Sequence, residues 1–129
     1  MSKKTVSDSR LNTLWSHAVI AKYGRCPISG MVEDLQAHHI IPKGRQRRFA
    51  LRWDIRNGVP LSVTVHRALH DGDLEVTADL IDYVSHRGDI EYLQDLKNML
   101  KFDLLKDISE DEFRTAKKAE LTKIIQEYK

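Results

Sequence analysis

Four of the chain's six histidines fall within 33 residues, as the adjacent pair His38-His39 and then His66 and His70. Breakers separate the two pairs. Pro42 and Gly44 end the structure that carries the first pair, and Arg56-Asn57-Gly58 reads as a turn. Residues 34–41, DLQAHHII, suit a strand, and residues 59–63, VPLSV, suit a second one. From Thr64 onward, VHRALH reads as a short helix closed by Asp71-Gly72. The chain is thereby constrained to a β-hairpin followed by a helix, with imidazoles at the end of one strand and along the helix.

Spacing limits what those imidazoles can do. Residues four apart on a helix share a face, with Cβ atoms about 5–6 Å apart. His66 and His70 can therefore close on one metal ion. Neighbours on a regular strand point to opposite faces, so His38 and His39 cannot easily join the same ion. A division of labour is expected, in which one binds the ion and the other, metal-free and titrating near neutrality, takes a proton from water. Three protein ligands leave coordination positions open, which suits a catalytic ion, whereas a structural zinc is closed by four.

The rest of the chain reads as helical bracing. Leu11, Leu14, Trp15, Ala18, Val19 and Ala21 have helical spacing within residues 9–22, and Gly24 stops that helix. A turn around Pro27 and Gly30 follows. Residues 89–105 place Ile90, Leu93, Leu96, Met99 or Leu100 and Leu104 at three- and four-residue steps. Ser109-Glu110-Asp111-Glu112 is a capping box, opening an amphipathic helix through Phe113, Ala116, Leu121 and Ile124. With 129 residues and 41% hydrophobic content, one compact domain over 1–129 is expected. Its fold class is α+β: a hairpin-helix core at about 26–72, with added N-terminal and C-terminal helices, the extension covering 73–129. Docking of a second copy or another protein through the C-terminal helices is the minor reading.

Composition excludes several classes. The single cysteine, Cys26, allows neither an internal disulfide nor an all-cysteine zinc site. No apolar run is long enough to cross a bilayer, and MSKKTVSDSR is not followed by an apolar signal region, so a cytoplasmic protein is expected. Charge is segregated: residues 1–72 carry 12 Lys/Arg against 5 Asp/Glu, and residues 73–129 carry 9 against 14. Lys43, Arg45, Arg47, Arg48, Arg52 and Arg56 crowd the loop between the histidine pairs, opposed there only by Asp54. Arginine donates two hydrogen bonds at once to a phosphate, so this loop is the expected contact with the phosphates of a polyanion, with little sequence preference. Trp53, in the same stretch, is expected to pack in the core rather than stack on bases.

In this order, AHHII, IRNG and VHRALH resemble the HNH motif of the ββα-metal endonucleases. The resemblance covers about residues 26–72 and is similar both to nuclease domains of DNase colicins and to small phage HNH proteins. It implies a metal-dependent endonuclease that hydrolyses DNA phosphodiesters, leaving a 3′-hydroxyl and a 5′-phosphate, in a bacterial or phage-infected cell. By the same resemblance His39 is the general base, and His38, His66 and His70 are ligands of one divalent ion. Asn57 is the middle motif residue, tying the loop to the hairpin so that His39 is held. Relatives often carry two CxxC pairs around a separate structural zinc. Here those positions read Cys26-Pro-Ile-Ser29 and Ser62-Val-Thr-Val65, so no four-cysteine zinc is expected and hydrophobic packing must hold the hairpin. An all-nitrogen site suits Zn, Ni or Mn more readily than Mg, which prefers oxygen. The runner-up function is a non-catalytic DNA-binding or packaging accessory, and an RNA-directed nuclease or toxin is a third. Nicking and double-strand cleavage both stay open. His17 and His86 fall outside the motif and are expected to be structural or solvated.

Overall fold

The computed structural model describes residues 6–41, 49–101 and 109–128. Its centre is a two-stranded antiparallel hairpin, β1 (Leu35–His39) against β2 (Gly58–Ser62), in a register that pairs His39 with Gly58 and Leu35 with Ser62. Every residue of β2 is buried, because helices cover both of its faces. The architecture is α+β, a ββα core with further helices packed around it.

Helix α1 (Asp8–Tyr23) covers one face. Ser7 caps it by accepting the Arg10 N–H, and Gly24 ends it in the left-handed conformation at φ 67°. Its stripe of Leu11, Trp15, Ala18 and Val19 forms a core cluster with Trp53, Ile55 and Leu121. Leu121 comes from α6 (Glu110–Glu127), which packs along α1, and Ser109 caps that helix through the Glu112 N–H, as the capping box predicts. Fully burying one large apolar side chain is worth about 1.5–3 kcal/mol. Trp53, completely buried, therefore belongs to the core as expected.

The other face meets α3 (Val63–His70) and α4 (Leu74–Arg87). Ser62 ends β2 and caps α3 by accepting the Val65 N–H, so strand and helix join without a loop. Val59, Leu61, Val65, Leu80 and Val84 form the second cluster, together with Cys26. At the degenerate CxxC positions, the Ser29 hydroxyl donates to Ser62 Oγ at 3.0 Å, and Cys26 and Val65 pack in the apolar cluster. A hydrogen bond and apolar packing join these positions.

Over residues 49–57 the structure is more regular than the expected loop. A single-turn helix, α2 (Phe49–Arg52), and a 3₁₀ turn, Ile55–Asn57, lead into β2. Asp54 caps that turn through the Arg56 N–H and also accepts the hydroxyl of Tyr92 from α5 (Ile90–Lys101). Arg87, at the end of α4, donates to the carbonyls of Gly58 (2.8 Å) and Arg56 (2.7 Å) and pairs with Asp89. Helices outside the hairpin-helix core thereby fix the backbone of 54–58, where the second motif position lies.

Candidate metal and catalytic site

The alternation of β1 separates its residues between two neighbours. Gln36 and His38 face α3, while Ala37 and His39 face α1. On the α3 side, His38, His66 and His70 bring one ring nitrogen each to within 4.8 Å of one another. The Nε2 atoms of His66 and His70 are 3.1 Å apart. Two imidazole nitrogens on one tetrahedral ion at 2.0–2.1 Å stand about 3.3 Å apart, so this pair already has a chelating separation. His38 must close by a small movement to complete the set.

The electrostatics of His38 and His66 suit a ligand role. Burial, and then the neighbouring His66, His70 and His39, lower the His38 pKa from 6.5 to about 4. Burial and His70 also lower that of His66. Neutral imidazoles at pH 7 offer their lone pairs without first losing a proton. Gln36 accepts a short hydrogen bond, 2.5 Å, from His66 Nδ1–H through Oε1. This fixes the tautomer that leaves His66 Nε2 with the lone pair, as outer-shell partners of ligating histidines commonly do. The donor set fits a divalent ion that accepts nitrogen.

On the opposite face a carbonyl and an indole hold His39. Its Nε2–H donates to the Arg52 carbonyl at 2.8 Å, and its ring stacks on Trp15 at 3.9 Å between centroids and 9° between planes. In that tautomer Nδ1 carries the lone pair, the form a proton acceptor needs. Asn57, fully buried, donates through Nδ2 to the carbonyls of Ile41 and Leu51, both at 3.0 Å, and accepts the Ile41 N–H at 2.7 Å. Its backbone carbonyl takes the Ile40 N–H at 3.0 Å. One side chain thus ties the exit of β1 to the segment whose next carbonyl, that of Arg52, anchors His39.

The structure brings His38, His66 and His70 together, turns His39 to the other strand face and places the Asn57 side chain between Ile41 and Leu51. Of the basic residues expected at DNA, Lys43, Arg45, Arg47 and Arg48 lie outside the described residues. The guanidiniums of the other two engage inside the protein. Arg52 reaches Asp8 at 3.4 Å, and Arg56 pairs with Asp89 at 2.7 Å while lying over Tyr92 at 3.8 Å. Both stand at the root of the loop, where carboxylates from α1 and the α4–α5 turn reach them. His86 turns to Asp82 of its own helix, and His17 is exposed. Gln36 touches His66, Trp15 touches His39 and Arg87 touches the backbone of Arg56 and Gly58, contacts that motif spacing alone did not signal. For Gln36 the signal was present, since it lies two positions before His38 on the same strand face.

Residues 26–77 match the family model described as HNH endonuclease. The match covers less than half of the chain, and α1, α5 and α6 lie outside it. No curated protein and no solved structure matches the chain. Among the described residues, no helix is long and apolar enough to cross a membrane.

Proposed function

We propose that this chain is a metal-dependent endonuclease that hydrolyses DNA phosphodiesters, with His39 as the base that activates water. One observation carries the reading. At the end of a single strand, three histidine nitrogens converge on one face while a carbonyl-anchored histidine occupies the other. A merely binding domain needs no such second histidine beside its metal ligands.

In this reading His38, His66 and His70 hold the divalent ion, with Zn, Ni or Mn favoured over Mg by the nitrogen donors. When bound, the ion supplies charge stabilisation to the phosphate and the leaving oxygen. His39 accepts the proton of the attacking water at Nδ1 while its Nε2–H stays on the Arg52 carbonyl, so the ring does not turn as it becomes charged. Asn57 holds that carbonyl's segment in place. Lys43, Arg45, Arg47 and Arg48 bind phosphates, with Arg52 and Arg56 adding positive charge at the loop's base. The whole of 1–129 acts as one unit, with the helices bracing the 26–72 core.

Supercoiled plasmid tests the proposal. Wild type and His39→Ala are incubated with EDTA, and with Mg, Mn, Ni or Zn. Nicked or linear product should form only with an ion, and His39→Ala should slow it about 10²–10⁴-fold while binding metal as wild type does. DNA binding without cleavage under every ion would overturn the enzyme in favour of an accessory DNA-binding protein.

A further inference from the structure

The residue opposite His39 in the hairpin is Gly58, and a Cβ there would fall 2.3 Å from Val19 Cγ2 and 2.9 Å from Trp15 Cζ2. Helix α1 therefore sits against the hairpin at a point that only glycine leaves open. The consequence is the near-parallel contact of the Trp15 indole with the His39 imidazole. Trp15 is itself locked: it is 3% exposed, and its Nε1–H donates to the Asp54 carbonyl at 2.9 Å. A hydrogen bond at one ring nitrogen does not by itself fix the plane of an imidazole. A flat indole against its face fixes that plane and leaves Nδ1 aimed in one direction.

We propose that Trp15 is a positioning residue for His39, so that α1, outside the segment matching the HNH family, completes the catalytic unit. The inference rests on the nuclease reading above. A reacting group displaced by about 1 Å can cost about 10²-fold in rate, which is the scale expected here.

Two variants isolate the stack. Trp15→Phe and Trp15→Leu both lose the hydrogen bond to Asp54, and both keep apolar bulk, but only Phe keeps an aromatic face. Trp15→Leu should lower kcat for plasmid nicking by about 10²-fold, with KM and Zn affinity within a few-fold of wild type. Trp15→Phe should retain most of kcat. In the metal-free protein, NMR should find the His39 ring protons shifted upfield by the indole ring current in wild type, and returned towards ordinary values in Trp15→Leu. Equal kcat for the two variants in an active, folded protein would overturn this inference alone. Wild type inactive with every ion would overturn the nuclease reading, and this role with it. Should Trp15→Leu not fold, Trp15→Phe decides, because a loss as deep as that of His39→Ala refutes positioning by stacking.

Discussion

Replacing Asn57 by Ala removes a side chain that is fully buried and makes three hydrogen bonds. The Ile41 N–H and the carbonyls of Ile41 and Leu51 would lose their partner together. Each buried polar group left unsatisfied costs about 1–3 kcal/mol. Ile41 is only half-buried, so water can reach its groups after a small movement, and the full sum will not be realised. The expected loss is about 2–4 kcal/mol, a large share of the roughly 5–15 kcal/mol that holds a typical domain together. For a chain of this length that lowers Tm by roughly 10 °C. The Asp variant sharpens the test. Asn57→Asp keeps the shape but faces two carbonyl oxygens with a carboxylate, and burial raises its pKa. Its penalty should therefore be largest at neutral pH and shrink in acid, where the protonated carboxyl can donate one of the lost bonds. Urea unfolding of metal-free protein reads both variants. A loss below about 1 kcal/mol for Asn57→Ala, with nuclease activity intact, would refute the assignment of Asn57 as the tie between hairpin and loop.

Gln36→Met should weaken Zn binding about 10–100-fold, because His66 loses the acceptor that fixes its tautomer; calorimetry on the otherwise intact chain reads this, and unchanged affinity would remove Gln36 from the site. The metal-free protein should lose stability as pH falls. His38 has its pKa depressed in the fold, so the unfolded chain takes up the proton first; the stabilising contribution is complete above about 6.5 and disappears between there and about 4. After allowance for partial solvent screening, about 1–2 kcal/mol is at stake, and His38→Leu should flatten the pH dependence of the urea midpoint over that range. An unchanged slope in His38→Leu would place the acid sensitivity elsewhere.

Local signals determined much of this protein. Helical spacing located α1, and Ser109 with its capping pattern located the start of α6. The strand parity of His38-His39 separated the two rings onto opposite faces, and the four-residue step of His66 and His70 put them on one helix face. These are short-range properties, set by backbone periodicity and by which residues cap or break it. What tertiary packing decided lies between elements distant in the chain. Nothing in the motif indicated that Trp15 would meet His39, because that contact requires Gly58 to leave a gap that α1 fills. Nor could the arginine-rich loop foretell that Arg56 would pair with Asp89 and Arg52 with Asp8, since ion pairing depends on where other elements bring their carboxylates. The histidines were legible as chemistry from the sequence; the orientation of His39 comes from a carbonyl and an indole that only the folded chain brings to it.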